Sequence, residues 1–208
     1  KAKWQDPFKK SATHETPFHE GSATPNVSMM SRTGSIEYAQ QDGWQVARLP
    51  YCCSNRFAMY VLLPKDGTNV AEGLQHLGSA GFDSAISGLQ AQELLFEMPR
   101  YTATYKATLN DALKSLGMAV AFGDGADFGN LVAPPAKAAI SQVNHRTFVR
   151  VDEAGTEAAA ATSVGISLMA MRAPPPTSMI VDRPFVVAIR DDQTKQLLFL
   201  GTIVKPEQ

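Results

Sequence analysis

The chain has 208 residues, of which 44% are hydrophobic and 19% charged, and its formal net charge at pH 7 is -1. This composition is typical of a globular protein, and a net charge near zero argues against nucleic acid or an anionic membrane as the main partner. No apolar run approaches the roughly 20 residues that span a bilayer, and no signal-like segment opens the sequence.

The first half of the chain is rich in β-type patterns. After a polar, proline-containing segment (1–27), residues 27–51 predict strands separated by turns at "RTG" and "QQDG". The apolar run "FAMYVLLP" (57–64) predicts a buried strand, closed by Pro64 and the turn "KDG". Residues 69–89 then predict a helical stretch that contains several glycines.

The second half continues in the same way, with one short helix. Residues 110–122 predict that helix, with Asn110 or Asp111 as its N-cap and Gly117 near its end, and residues 124–130 predict a loop. Strand-like patterns cover residues 93–109, 139–153, 183–191 and 196–204. The predicted fold class is therefore α+β, dominated by strands and with few helices.

Residues 156–168 alternate with a period of two. The even positions become steadily more apolar: Thr156, Ala158, Ala160, Thr162, Val164, Ile166 and Leu168. The odd positions stay small or polar: Glu157, Ala159, Ala161, Ser163, Gly165 and Ser167. This pattern predicts a strand with one buried face, yet the segment runs into the polyproline-like "MAMRAPPPTS". The alternatives are an alanine-rich linker or an ordinary hairpin arm.

Few residues suggest metal, cofactor or catalytic chemistry. The two cysteines, Cys52 and Cys53, are adjacent, and neighbouring cysteines seldom bridge because the geometry is strained. We interpret them as two thiols near a strand start, which leaves the redox compartment open. No metal-ligand spacing, phosphate-binding loop or G-x-S-x-G element occurs, so we expect no cofactor and no enzymatic activity.

Several fragments, in order, resemble the C-terminal half of a serpin. They are "KAKWQDPFKKSATHETPF", "VSMM", "VARLPY" with "FAMYVLLP", "LKSLGMAVAFGDGADFGNL", "VDEAGTEAAAAT" and "VDRPFVVAIRDDQTKQLLFLGTIVKP". Each fragment is weak alone, but the order and spacing are specific, and the similarity covers essentially all 208 residues. The resemblance replaces the linker interpretation of residues 156–168.

The resemblance implies a single serpin-like domain over residues 1–208, with a reactive-centre loop at about 155–180 and a large central sheet receptive to loop insertion. The N-terminal half of the fold is absent, so it is an expected partner, and without it sheet edges and apolar faces would be uncovered. We expect that the 208-residue chain alone does not inhibit.

The implied function is inhibition of a serine protease as a suicide substrate. The protease cleaves the loop, forms a covalent acyl-enzyme, and is trapped when the upstream arm inserts as a strand. The alternatives are a non-inhibitory binding or chaperone module and, third, an unrelated β-rich protein. An extracellular or periplasmic location is expected.

The resemblance also assigns roles to residues. The hinge contains Gly155, Thr156, Glu157, Ala158, Ala159, Ala160, Ala161 and Thr162. These residues are small and unobstructed, which favours an inhibitory member. The inserting face contains Val164, Ile166 and Leu168. Counting from Gly155 places the reactive bond at Met169–Ala170, whereas counting back from residues 182–185 ends near Ala173, so Met171 and Arg172–Ala173 remain alternatives.

Two further residues match positions in the family. Trp4 matches the tryptophan at the top of the central sheet, where insertion starts, although it would also serve as an ordinary core aromatic. His145 matches the histidine beneath the opening strands, where it would hydrogen-bond a neighbouring strand. Without the resemblance, a single histidine in a strand is more often a structural residue.

Overall fold

Strands outnumber helices in the part of the chain that the structure describes. The structure is a computed structural model, and it describes residues 1–21, 23–41, 43–53, 55–65, 68–132, 136–156 and 177–207, the side chains of residues 76 and 78–80 excepted. The chain divides into two units: unit 1 is Lys1–Thr102 with Arg150–Gln208, and unit 2 is Ala103–Val149.

The secondary structure confirms the predicted class, α+β and dominated by strands. The strands are β1 Ala2–Lys3, β2 His14–Pro17, β3 Asn26–Gln41, β4 Trp44–Pro50, β5 Phe57–Pro64, β6 Gln90–Pro99, β7 Tyr101–Thr108, β8 Asn144–Asp152, β9 Gly155–Thr156, β10 Thr177–Ile180, β11 Phe185–Asp191 and β12 Gln196–Ile203. The helices are α1 Val70–Ala80, α2 Phe82–Ile86 and α3 Asn110–Leu113, with 3-10 turns at Lys10–Ala12 and Ala119–Phe122 and a π-helical turn at Lys114–Met118.

The larger sheet lies in unit 1. Its strand order is β10-β6-β3-β4-β5-β11-β12, and β2 pairs with β3 beside this path. β10 runs parallel to β6, whereas the other described pairs of this sheet are antiparallel. A second sheet has the order β1-β9-β8-β7.

The predicted turn at "RTG" is wrong, because β3 is one continuous strand of 16 residues. β6 pairs with β3 without interruption from Met29 opposite Pro99 to Tyr38 opposite Gln90. The ladder keeps the backbone extended through Gly34, and tertiary pairing outweighs the local turn preference. The "QQDG" turn is confirmed, since β3 ends at Gln41, β4 begins at Trp44 and Gly43 adopts a φ of 79°.

The core of unit 1 forms around β5 and β11. All residues of β11 are buried, as are all of β5 except Phe57, so both faces of these strands are covered. That burial explains why Phe57–Pro64 and residues 185–189 are continuous apolar runs rather than alternating ones. Helices α1 and α2 cover one face: Leu77 and Ala85 join the cluster that contains Trp44, Tyr60 and Val186.

The helical prediction over residues 69–89 is confirmed, although the stretch is divided into two helices, α1 and α2. Asn69 caps α1, because its side-chain oxygen accepts a hydrogen bond from the amide of Ala71 at 2.9 Å. Gly81, at a φ of 83°, ends α1 and precedes α2. Gly73 lies where α1 crosses Trp44, and a Cβ there would come within 2.5 Å of the indole ring.

Unit 2 departs from the prediction at its helix. α3 has four residues, and neither Asn110 nor Asp111 caps it. The amide of Asn110 instead donates to the carbonyl of Ser141 and accepts from the backbone amide of Val143, so the side chain is used in a tertiary contact. The helical path is interrupted at Gly117, whose φ of 100° lies in the left-handed region, and a 3-10 turn follows at Ala119–Phe122.

Two predicted strands have different bounds in the structure. The segment 93–109 is divided at Arg100 into β6 and β7, which belong to different sheets. The segment 139–153 contains β8 only from Asn144 to Asp152. The strands predicted at 57–64, 183–191 and 196–204 are present as β5, β11 and β12.

Large apolar side chains are exposed in both units. Examples are Leu198 and Leu200 on β12 in unit 1, and Leu116 and Leu131 in unit 2, where Leu131 is 83% exposed. The expectation that part of the fold is absent stays a prediction. Within the described residues, no helix combines the length and apolar character needed to cross a bilayer.

Candidate functional site

The predicted hinge begins as a short strand with a neighbour on each side. β9 consists of Gly155 and Thr156. On one side it pairs antiparallel with β1, with Ala2 opposite Thr156. On the other side it pairs antiparallel with the end of β8, with Val151 opposite Thr156. The first two hinge residues therefore occupy a position between two strands.

Gly155 is required at this position by a close approach of two backbones. Its φ is 155°, and a Cβ on it would lie 2.7 Å from the Cα of Lys3 and still closer to the carbonyl oxygen of Ala2. The turn before it is held by Asp152, whose carboxylate accepts hydrogen bonds from the amides of Ala154 at 2.9 Å and Gly155 at 3.2 Å. A side chain at residue 155 would push β9 away from β1.

Trp4 holds the turn that leads into the hinge. It is buried, its indole nitrogen donates to the carbonyl of Asp152 at 2.9 Å, and its backbone amide donates to the carbonyl of Ala154 at 3.0 Å. Its ring stacks on Tyr51 with centroids 5.0 Å apart and an interplanar angle of 7°. The structure thus places the predicted Trp4 beside the start of the hinge.

Tyr51 and Thr156 connect the hinge to the buried side of β9. Their hydroxyl oxygens are 2.7 Å apart, within hydrogen-bonding distance. Burial raises the pKa of Tyr51 well above its ordinary range, so the phenol stays neutral at physiological pH. Thr156, the first even-numbered residue of the alternating segment, therefore faces a buried side chain.

Glu153 is a buried charge that the sequence analysis did not single out. Only 3% of the residue is exposed, Thr13 donates to its carboxylate at 2.7 Å, and Arg100 forms an ion pair with it. Desolvation acts to raise the pKa of Glu153, but the hydrogen bonds from Arg100 and Thr13 outweigh it, and the pKa is lowered. The partners lie 140 and 53 residues away, so no local pattern could have revealed them.

His145 lies in unit 2, on the exposed part of β8. Its Nε2 is 2.8 Å from the hydroxyl of Thr147, two residues further along the same strand. Its ring centroid is 6.5 Å from that of Tyr105. The predicted role of His145 in strand opening stays a prediction.

The remaining predicted site residues lie outside the described residues. They are the hinge residues Glu157, Ala158, Ala159, Ala160, Ala161 and Thr162, the inserting residues Val164, Ile166 and Leu168, and the candidates for the reactive bond, Met169, Ala170, Met171, Arg172 and Ala173. Among the described residues, no group of three or more His, Cys, Asp or Glu side chains is arranged to hold a metal ion.

A strand-dominated fold with a large multi-strand sheet and few helices is the architecture expected from the sequence resemblance. Residues 1–206 match the family model "Serpin (serine protease inhibitor)". The chain belongs to the serpin family. It spans about half the length of the curated relatives it matches, in agreement with the prediction that it corresponds to the C-terminal half.

Individual relatives and solved structures match essentially the whole of this chain over about half of their own length. An alpha-1-antitrypsin homolog from Cyprinus carpio is 34% identical over 100% of this chain and 55% of the relative. Tengpin, a thermophilic serpin solved in its native state, has a TM-score of 0.82 at 30% identity over 99% of this chain and 53% of its own. Thyroxine-binding globulin in complex with thyroxine has a TM-score of 0.80 at 24% identity over 100% and 55%, which shows the fold alone.

Proposed function

We propose that the chain is the part of a serine protease inhibitor that carries the bait loop, and that it acts as a suicide substrate. Cleavage of the loop by a serine-type endopeptidase leaves the protease attached as an acyl-enzyme. The upstream arm then inserts as a strand that continues β9, and the protease is carried away before water can release it.

The observation that carries the proposal is the position of β9. Because Gly155 and Thr156 already pair with β1 and with the end of β8, insertion would lengthen an existing strand rather than start a new one. Thr156 faces the buried Tyr51, so a strand that continues with a period of two would direct the even-numbered side chains to the same side. Those are the side chains that become apolar along the segment.

The driving force is burial of that apolar face together with new backbone hydrogen bonds. Val164, Ile166 and Leu168 would each contribute about 1.5–3 kcal/mol if they moved from water into a packed interior. Small residues precede them at 158–161, so the leading part of the arm offers little steric resistance. The energy is available only after the loop is cut, since an intact loop is tethered at both ends.

The proposed reactive bond is Met169–Ala170, counted from Gly155. The upstream length sets how far the protease travels, whereas the proline-rich downstream arm can vary. A methionine before the bond suits a protease with an apolar primary pocket, whereas Arg172 would suit a trypsin-like protease. An extracellular or periplasmic location also remains a prediction, to be tested by cell fractionation.

The decisive experiment uses the complete protein, with the rest of the fold present. It is incubated with subtilisin, chymotrypsin, elastase and trypsin in turn, and a complex that survives denaturing electrophoresis is the expected result. Mass spectrometry of the released C-terminal peptide identifies the bond. Cleavage without a complex for every protease that cuts the loop would contradict inhibition and favour the non-inhibitory binding module.

A matched pair of variants tests the insertion step. Val164→Arg places a charge on the proposed buried face, whereas Ser163→Arg places the same charge on the adjacent, solvent-facing position. Burial of an unpaired charge costs several kcal/mol, so Val164→Arg should reduce complex formation by more than about a hundredfold. Ser163→Arg should retain it, and equal losses in both variants would contradict strand insertion with this parity.

A further inference from the structure

Two adjacent cysteines lie in the turn that follows β4. Cys52 comes directly after Tyr51, and the Sγ atoms of Cys52 and Cys53 are 2.7 Å apart. Both are free thiols, and they are the only cysteines in the sequence. The two side chains therefore converge on one point.

The backbone of the turn explains this convergence. In an extended strand, successive side chains point to opposite faces, which would separate the two thiols. Cys53 instead has a φ of 83°, in the left-handed region that a non-glycine residue rarely adopts. The amide of Cys52 donates to the carbonyl of Lys3 at 2.8 Å, which fixes the other end of the pair.

The pair is accessible to small thiol reagents. Cys53 is exposed and Cys52 is half-buried. The hydrogen bond with Cys52 raises the pKa of Cys53, and the charge of Lys3 acts in the opposite direction. Two neighbouring thiols that are both accessible can react as a dithiol.

We propose that Cys52 and Cys53 form a reversible dithiol–disulfide site that exchanges with small disulfides of the glutathione type. Cys53 first loses its proton to solvent. Its thiolate then attacks one sulfur of the small disulfide, whose S–S bond breaks as the mixed disulfide forms, and the departing small thiolate takes up a proton. Cys52 loses its proton and attacks the Cys53 sulfur, which closes the protein disulfide and releases the second thiol. Two protein thiols are oxidised and one small disulfide is reduced to two thiols.

The product would be easily reduced. Cα atoms of neighbouring residues are about 3.8 Å apart, whereas disulfide-bonded cysteines usually have Cα atoms about 4.4–6.8 Å apart. A disulfide in this ring is therefore strained, and strained, exposed disulfides are the labile ones. The site would respond to redox conditions rather than act as a permanent crosslink.

The position of the pair connects it to the hinge, a step that rests on the proposed function. Tyr51, which bonds Thr156 and stacks on Trp4, is joined directly to Cys52. Lys3, which accepts the hydrogen bond from Cys52, lies opposite Gly155 in the β1–β9 ladder. Closing a strained ring at residues 52–53 moves these supports, so oxidation should weaken the entry of the hinge into the sheet.

The chemistry is tested by equilibrating the complete protein in buffers of varied reduced-to-oxidised glutathione ratio. Thiol counting and intact mass should show a final product that has lost two thiols and two hydrogen atoms, and dithiothreitol should reverse the change. Cys52→Ser and Cys53→Ser should each give only the mixed disulfide. The double variant Cys52→Ser/Cys53→Ser measures the thiol count and mass change that come from any cysteine elsewhere in the complete protein. Mixed disulfides alone in the parent protein would overturn the proposal.

The coupling is tested by measuring the stoichiometry of inhibition before and after oxidation. The oxidised protein should require several-fold more inhibitor per protease, while the double serine variant should be indifferent to glutathione. A disulfide that forms without changing the stoichiometry would overturn the coupling. Failure of every form to inhibit would instead count against the proposed function, because the thiol count is independent of it.

Discussion

β5 and β9 both lie between two neighbouring strands, yet they are stabilised very differently. β5 has eight residues, seven of them buried, and it pairs along most of its length with β4 and β11. β9 has two residues, held by Trp4, Tyr51 and the turn at Asp152. The comparison separates a packed core strand, where a substitution lowers the free energy of unfolding, from the start of the predicted hinge, where under the proposed function a substitution alters loop insertion.

The largest effect on stability is expected in β5. Leu62 is fully buried in the cluster below α1 and α2. Leu62→Ala should lower the free energy of unfolding by about 2–5 kcal/mol, because it removes buried methyl groups and leaves a cavity. Chemical denaturation of the complete protein measures this, with the exposed Gln196→Ala as the control. A loss no larger than that of the control would contradict the assignment of β5 to the core.

A smaller, pH-dependent effect is expected at Glu153. Glu153→Gln should lower the free energy of unfolding at pH 7 by about 2–3 kcal/mol, because it breaks a buried ion pair that is solvated on the Arg100 side. The folded pKa of Glu153 is lowered, so its contribution is fully present above the unfolded pKa of about 4.3 and disappears as the pH falls through the folded value.

Denaturation at a series of pH values tests the sign of this effect. The difference between the parent protein and Glu153→Gln should be constant from neutral pH to about pH 5 and should shrink at lower pH. A difference that grows on acidification would mean that the folded pKa of Glu153 is raised.

The smallest effect is expected from the hydroxyl group of Tyr51. Tyr51→Phe keeps the stack on Trp4 but removes the hydrogen bond to Thr156, and should cost about 0.5–1.5 kcal/mol. A double-mutant cycle with Thr156→Val isolates the pair. A coupling energy of zero would show that the hydroxyl contact does not hold the hinge.

Part of the larger sheet could be predicted from sequence, since β5 and residues 185–189 of β11 are apolar runs typical of strands that are buried on both faces. The predicted "RTG" turn was wrong because the facing residues of β6, 60 to 64 positions further along the chain, supply a strand partner that a local pattern cannot reveal. The predicted helix cap at Asn110 or Asp111 was wrong for a related reason, because the side chain of Asn110 hydrogen-bonds the distant residues Val143 and Ser141.

The residues of the candidate site also fall into two groups, those that the sequence indicated and those that it did not. Trp4, Gly155 and Thr156 were predicted through motif resemblance; the structure places Trp4 on the turn before Gly155 and Thr156, and their roles stay predictions. Glu153, Arg100 and Thr13 form a buried polar cluster that depends on three distant segments. The convergence of Cys52 and Cys53 depends on one backbone angle, which residue order does not specify.

β10, β11 and β12 follow the proposed reactive bond in the chain, and all three belong to the larger sheet. β10 is attached to β6, and β11 lies between β5 and β12 in the buried part of the larger sheet. A cut near residue 169 would therefore produce two polypeptides that migrate as one particle in gel filtration and separate only in denaturant. A nicked sample judged by its native size alone would pass for an intact one.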